Sequence, residues 1–112
     1  MAGSYPISIV QGDTFSFNFR LEIDGVPWDL SSYTAKMQVR QSTFDTNKLL
    51  DLSTGSGITL NNIGEVNCTA SAATTAAMPT GRWLYDFELT SASGQKTTIL
   101  QDVFIVGPQV TQ

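Results

Sequence analysis

Strict alternation of apolar and polar residues limits the folds open to this chain more than any other feature. Between Phe15 and Ile23 every odd-numbered residue is apolar and every even-numbered residue is polar. The same period of two returns over residues 33–40 and, apart from Leu84, over residues 82–89. Successive side chains of a β-strand point to opposite faces of its sheet. Each segment is therefore predicted to be a strand with one face on a core and the other in water.

Further apolar segments, three short and one long, divide the rest of the chain into more strands. They cover residues 48–52, 58–60, 65–70 and 96–106, and turn residues separate the strands every ~8–12 positions. Two packed sheets are the natural way to bury so many half-apolar strands. The sequence predicts an all-β, antiparallel β-sandwich of about seven to nine short strands. Its 112 residues are expected to form one domain, 1–112, with a single core.

One segment departs from the strand pattern. Residues 72–78 are rich in alanine, which favours helix, and the segment ends before Pro79. It is too short for a free-standing helix. We expect one helical turn near residues 72–78 that crosses between the two sheets, and a loop at residues 41–47.

The composition removes most catalytic and metal sites. The chain has no histidine and a single cysteine, Cys68. Serine and cysteine nucleophiles that depend on histidine, histidine-containing zinc sites and thiolate zinc cages all need residues that are missing. Cys68 lies in an alternating strand and is predicted to be a core residue. The protein is therefore expected not to be an enzyme and to need no cofactor or metal.

Asp86 and Glu88 are the one carboxylate pair that merits weighing. They stand two residues apart on one strand face, near Arg82. A pair of carboxylates can serve a hydrolase or hold a cation. The competing interpretation, a solvated or interfacial polar face, is favoured, because nothing in the sequence indicates a pocket around them.

Charge argues against two classes of partner. The net charge is −4, and the six basic residues are scattered along the chain. Without a basic cluster, neither nucleic acid nor an anionic membrane is an expected partner. The N-terminus lacks the features of a secretory signal, and no apolar run approaches the ~18 residues of a membrane span. The unpaired cysteine favours folding in a reducing compartment such as a cytoplasm.

Several apolar residues are candidates for an interface. They stand in loops, at strand ends, in the β-prone N-terminal segment or on the last strand, and they are Tyr5, Ile7, Ile9, Trp28, Phe44, Leu100 and Phe104. Aromatic groups at strand ends either anchor a partner or plug the end of the sandwich. The segment 4–10 could pair with a neighbouring chain or with its own sheet. Leu100 and Phe104 predict an apolar back face on the last strand, and with the low charge they predict a homo-oligomer.

Four segments, taken in order, resemble small proteins of tailed bacteriophages. These are YPISIVQGDTF at 5–15, LEIDGVPWDL at 21–30, YTAKMQVR at 33–40 and GRWLYDFEL at 81–89. A glycine hairpin and a last strand ending in Val110 and Thr111 follow them. The pattern is similar to the N-terminal domain of phage baseplate upper proteins and to small virion proteins encoded among head and tail genes. The resemblance implies an Ig-like β-sandwich that folds in the host cytoplasm and docks onto other virion proteins.

The sequence leaves several functions open beneath that resemblance. A docking module of the tail, baseplate or neck is the leading hypothesis, and a capsid decoration (cement) protein is its alternative within the virion. A carbohydrate- or receptor-binding module is the alternative of another class, since an exposed Trp28 or Phe44 could stack on sugar rings. A hydrolase using Asp86 and Glu88 is the least favoured.

Overall fold

The computed structural model describes residues 3–41 and 48–108, except the side chain of Lys48. Within them the chain forms ten strands and one short helix. The strands are β1 (Ile7–Val10), β2 (Phe15–Arg20), β3 (Glu22–Ile23), β4 (Val26–Pro27), β5 (Thr34–Arg40), β6 (Lys48–Thr54), β7 (Gly57–Leu60), β8 (Glu65–Ala70), β9 (Gly81–Thr90) and β10 (Lys96–Gly107), and the helix is α1 (Ala72–Ala76). Most of the predicted loop 41–47, and with it Phe44, lies outside the described residues.

Eight strands are hydrogen-bonded in the order β1-β10-β9-β5-β6-β7-β8-β2. This sheet folds back on itself, so that β2 packs against β9 and β10. The ring of Phe19 lies 5.1 Å from that of Phe87, and the ring of Phe15 lies 5.8 Å from that of Phe104. A five-stranded layer, β1-β10-β9-β5-β6, thus faces a three-stranded layer, β7-β8-β2, which confirms the predicted β-sandwich.

The sheet changes layers at a glycine between β6 and β7. Gly57 has a φ of +100°, and a Cβ at this position would lie 2.6 Å from Leu52 and 2.9 Å from the carbonyl oxygen of Thr69. Only glycine accepts both the left-handed backbone and this close approach. The turn at residues 54–57 is therefore the closed side of the sandwich.

Pairing is antiparallel at most of these joints, but β1 runs parallel to β10, and β6 meets β7 in a short parallel contact. The register places Ile7 beside Phe104 and Val10 beside Gly107. Of the two possibilities left open for the N-terminal segment, the protein itself uses pairing with its own sheet. As a result, β1 becomes one end of the sheet order and β2 the other.

The core contains the residues that the alternating pattern assigns to the inner faces. Met37, Val39 and Phe87 are fully buried, and Tyr85 and Leu89 nearly so. Burying an aliphatic or aromatic side chain of this size contributes about 1.5–3 kcal/mol to folding. The three strands with the most regular alternation, β2, β5 and β9, therefore supply much of the core between the two layers. Across that core, Phe15 and Phe19 of β2 contact β10 and β9.

The alternation fails at Ile23, which was expected to point inward but is 52% exposed. Asp24 and Gly25 both have positive φ values, 52° and 79°, which is the geometry of a two-residue hairpin turn. The turn forms β3–β4, a hairpin outside the main sheet, where Val26 is exposed too. This turn takes the end of the alternating segment off the core.

The helical turn predicted near 72–78 is confirmed as α1, which carries the chain from β8 in one layer to β9 in the other. Ser71 caps it, because its Oγ accepts a hydrogen bond of 3.2 Å from the backbone N–H of Thr74. Met78, just beyond the helix, is buried against the core. Among the described residues no helix has the length and apolar character needed to cross a bilayer.

Candidate interaction surfaces

The two end strands β1 and β2 lie on the same side of the sandwich, joined by residues 11–14. Between them runs a groove of about 360 Å³, lined by residues 5–10 and 13–17. We call these residues the open side. The open side has two end strands, whereas the β6–β7 side has none, because the sheet is continuous there.

Tyr5 bridges the two layers at the open side. Its ring is 55% exposed and lies 5.3 Å from the ring of Phe17 on β2. Its carbonyl oxygen accepts a hydrogen bond from the hydroxyl of Tyr85, which belongs to β9. Burial, and secondarily the charge of Asp102, raise the pKa of Tyr85 to about 12, so this hydroxyl keeps its proton and the N-terminal segment stays fixed.

Helix α1 fixes the turn between the two end strands. Thr75 is fully buried, and its hydroxyl oxygen accepts from the backbone N–H of Gly12 at 3.1 Å. The same hydroxyl lies 2.6 Å from the carbonyl oxygen of Asp13, to which it donates. The side-chain amide of Gln11 donates to the carbonyl oxygen of Met78 at 2.7 Å. The open side is thus rigidly positioned, although it is a surface.

β1 is a short end strand of four residues that carries neither a charge nor a proline. Such strands are blunted by lysine, proline, bulges or a covering loop, because their free backbone groups can pair with another chain. Residues 7–10 are Ile, Ser, Ile and Val, without a charge or a proline. Within residues 3–41 and 48–108 no strand pairs with the free side of β1. The strand is therefore chemically suited to accept a partner strand.

A second surface lies on the outside of the five-stranded layer. Residues of β5, β9 and β10 line a groove of about 330 Å³, which we call the charged groove: Lys36, Gln38, Arg40, Leu84, Tyr85, Asp86, Glu88, Lys96 and Gln101. In the register of β5 with β9, Lys36 stands beside Glu88, Gln38 beside Asp86, and Arg40 beside Leu84. Cations therefore follow β5, and carboxylates follow β9.

The groove holds charges that are not neutralised by contact. No salt bridge joins any two of the residues that line this groove, whereas Arg20 and Glu65 form one of 3.4 Å on the other layer. Partial burial, and secondarily the nearby Glu88, raise the pKa of Asp86, while Arg40 acts in the opposite direction. The arrangement can bind groups of opposite charge, and it is the polar face predicted for Asp86 and Glu88.

Sequence reasoning missed that three basic residues meet here. Lys36, Arg40 and Lys96 seemed scattered, because 56 positions separate Arg40 from Lys96. The shared parity of Lys36 and Arg40 on one alternating strand indicated a common face. Their meeting with Lys96 depends on β5 and β10 both pairing with β9, which no local pattern reveals.

An apolar patch adjoins the charged groove at one end of the same face. Val10, Leu84 and Ile105 are each 37–42% exposed, and Val103 is half-buried beside them. In the register of β9 with β10, Val103 stands beside Leu84. Exposed apolar side chains next to polar groups are typical of surfaces that contact other proteins.

Two of the predicted interface residues belong to the core. Ile7 is 5% exposed and Phe104 is fully buried, so the prediction that they form a surface is wrong. Leu100 also points inward, beside Phe87. A bulge between Thr98 and Leu100 inserts one residue into β10 and reverses which face the following residues take. The outward apolar residues of this strand are Val103 and Ile105, so the original ground for a homo-oligomer does not hold.

The remaining predicted interface residues lie in different parts of the protein. Ile9 is half-buried at the open side beside Tyr5. Trp28 is half-buried, with its ring edge-on to Tyr33 at 5.4 Å, and it lines neither groove. Phe44 lies outside the described residues.

The structure also bears on chemical reactivity. Cys68 is fully buried, as predicted, and burial raises the pKa of its thiol to about 12, so it remains protonated and unreactive in the folded protein. No group of three or more potential metal ligands occurs among the residues that the structure describes. Asp86 and Glu88 lie in an open groove without a partner base or nucleophile.

Comparison with known proteins shows the fold and no family. No protein-family model and no curated protein match the chain. The crystal structure of CopC from Methylosinus trichosporium OB3b is similar, with a TM-score of 0.51 and 13% identity over 95% of this chain and 87% of that one. Murine CRIg (TM-score 0.44, 9% identity, 93% and 92% covered) and the extracellular domain of the voltage-gated sodium channel beta4 subunit (0.42, 12%, 98% and 96%) align more loosely. The fold of the protein is a two-layered β-sandwich.

Proposed function

We propose that this protein is a non-catalytic structural component of a tailed-phage virion, a β-sandwich docking module of the tail, baseplate or neck. The observation that carries the docking role is the uncharged strand β1 at the open side, whose outer edge pairs with no strand among residues 3–41 and 48–108. A partner strand that paired with it would extend the five-stranded layer and would lie over Tyr5, Ile9 and Phe17. Main-chain hydrogen bonds would supply affinity, and these side chains would supply selectivity.

The absence of chemistry supports a structural rather than a catalytic role. The chain has no histidine, and its one thiol is buried and protonated. The carboxylates of Asp86 and Glu88 stand among cations on an open face rather than in a closed pocket. A hydrolase would need a general acid held in a sheltered site.

The ordered resemblance of four segments to small phage proteins supports the virion as the place of action. Capsid decoration is the alternative placement, and the same β1 edge would serve it. A carbohydrate-binding role would use an aromatic ring beside a groove, and Trp28 lies away from both grooves.

The test uses phage particles that encode this chain. Mass spectrometry of purified particles should detect the protein in a fixed copy number, and electron cryomicroscopy should locate it. Absence from particles would contradict the virion proposal, and a position on the capsid shell would favour decoration over the tail.

A substitution tests the docking edge. Ser8→Lys places a charge on exposed β1 and should reduce incorporation into particles by about tenfold or more, equivalent to about 1.4 kcal/mol. Thr69→Lys is the matched control, since Thr69 is exposed on the interior strand β8 and should incorporate normally. Equal incorporation of both variants would remove β1 as the docking edge.

A further inference from the structure

We propose that the charged groove binds a second copy of this chain about a twofold axis that runs between β5 and β9, parallel to both strands. This adds a second interface to the docking role and does not use the β1 edge. It rests on two outward-facing pairs across β5 and β9, in which Lys36 faces Glu88 and the amide of Gln38 faces Asp86 in register.

A half-turn about that axis has a simple consequence for paired residues. It exchanges the two members of every β5–β9 pair, so Lys36 of one copy comes over Glu88 of the other, and Glu88 comes over Lys36. Four charges of alternating sign then form a closed ring. Two residues further along β5, Gln38 of one copy comes over Asp86 of the other, so that an amide donor meets a carboxylate.

Unpaired charge inside one chain makes this association favourable. Lys36 and Glu88 form no salt bridge within the described chain, although they are direct neighbours on adjacent strands. Opposite charges across an interface favour the correct partner and orientation more than they add affinity. The groove, about 330 Å³ in volume, also leaves room for the long side chains of a second copy.

Moving the axis sideways, across the strands, gives repulsion. An axis along β9 itself would bring Glu88 onto Glu88 and Asp86 onto Asp86. Placing it between β5 and β9 brings Lys36 onto Glu88 and Gln38 onto Asp86 instead, and Arg40 onto Leu84. The pattern therefore complements itself, which is what an isologous interface requires.

The overlap predicts a weak dimer. Four strands of each copy face each other, and with ~4.8 Å between strands and ~3.3 Å per residue they span roughly 400 Å² of projected area per protomer. The total of roughly 800 Å² is below the ~1,000 Å² expected of a stable specific interface and fits only a weak, transient one. Association should therefore depend on concentration in solution and become complete only where a particle holds copies side by side.

Sedimentation velocity of the full chain over a wide range of concentration tests the proposal. We expect a monomer–dimer equilibrium that weakens as salt increases, because exposed charges are screened. Glu88→Lys and Lys36→Glu, each alone, should weaken the dimer about tenfold or more. The double reversal Lys36→Glu/Glu88→Lys restores the alternating ring and should return the dissociation constant to within about threefold of the original.

Glu22→Lys is the matched control. It makes the same change of charge as Glu88→Lys, but on the exposed hairpin β3–β4, and it should leave association unchanged. Thermal melts establish that each variant is folded. If a single reversal fails to fold, the double reversal and the salt dependence of the unmodified chain still decide the outcome.

Three results would overturn the proposal. The first is a monomer at every concentration, and the second is a dimer that neither single reversal weakens. The third is a monomer whose charged groove binds a different virion protein in a manner sensitive to Glu88→Lys. That third result would leave the docking function intact, and incorporation of Ser8→Lys into particles tests that function separately.

Discussion

The open side and the charged groove offer partners different kinds of contact. At the open side the available groups are backbone donors and acceptors of β1, flanked by apolar rings, and no charge stands on the strand. In the charged groove the backbone is paired within the sheet, and the available groups are charged side chains. One small sandwich therefore presents two chemically different surfaces on separate parts of the fold.

The two surfaces also depend on different parts of the fold. The open side is positioned by long-range hydrogen bonds from α1 and from Tyr85. The charged groove is positioned by strand register alone, since β5 and β9 pair along seven residues. Substitutions that loosen the first set of contacts should therefore spare the second surface.

The largest expected effect comes from removing the buried hydroxyl at α1. Thr75→Val keeps the shape of the side chain but leaves the N–H of Gly12 and the carbonyl of Asp13 without their partner. Leaving such buried groups unpaired should lower the free energy of unfolding by about 2–3 kcal/mol. Urea denaturation measures the loss.

The same variant separates the two surfaces. Hydrogen exchange should become faster in residues 7–15, and binding at the open side should weaken, while sedimentation still shows the dimer. Thr80→Val, at an exposed position, is the control and should behave like the unmodified chain. A loss of the dimer in Thr75→Val would show that the two surfaces are coupled.

A smaller effect is expected from the Tyr85 hydroxyl. Tyr85→Phe removes the hydrogen bond to the carbonyl of Tyr5 and should cost about 1–1.5 kcal/mol at neutral pH. The folded-state pKa of Tyr85 is raised from 10.0 to about 12. Stability from its protonated form is therefore complete below pH 10 and declines as pH rises through about 12.

This pH dependence gives the measurement. Denaturation of both proteins between pH 9 and 12 should show a steeper decline of stability for the unmodified chain, because only that chain has the Tyr85 hydroxyl. Cys68, whose thiol pKa is also raised to about 12, contributes equally to both proteins. Tyr33→Phe serves as a control for the substitution type. Parallel curves for the unmodified chain and Tyr85→Phe would contradict the assignment.

The smallest effect is expected in the charged groove. The pKa of Asp86 is raised, so its protonated form is favoured by folding, and that contribution is lost as pH rises above the ordinary value of 3.8. Asp86→Asn should therefore be slightly more stable than the unmodified chain at pH 7, by no more than about 0.5 kcal/mol. The variant should also lack the loss of stability that titration of Asp86 causes as pH rises.

Asp86→Asn is also expected to have little effect on the proposed dimer. Asp86→Asn preserves an acceptor opposite Gln38, so sedimentation should show little change beside the tenfold effect expected for Glu88→Lys. Chemical denaturation at pH 3 and pH 7 measures the stability difference. A variant less stable at pH 7 would show that Asp86 has a stabilising partner in the folded protein.

Local patterns predicted the inner faces of β2, β5 and β9, because a strand that must bury one face repeats every two residues. They failed where one residue changes the phase. The bulge after Thr98 turned Leu100 and Phe104 inward, and the turn at Asp24 took Ile23 off the core. Both errors arise from backbone events that leave little trace in hydrophobicity. The placement of Phe44 stays a prediction.

By itself, the sequence determined the two-layered all-β class, the crossing helical turn, and the absence of the residues that most catalytic sites require. These follow from side-chain chemistry and from the two-residue period, which act over a few neighbours. The tertiary structure alone decided that β1 ends the sheet beside β2 and that Lys36, Arg40 and Lys96 meet around Asp86. Those features depend on which distant strands pair, and pairing is set by the packing of the whole core rather than by any one segment.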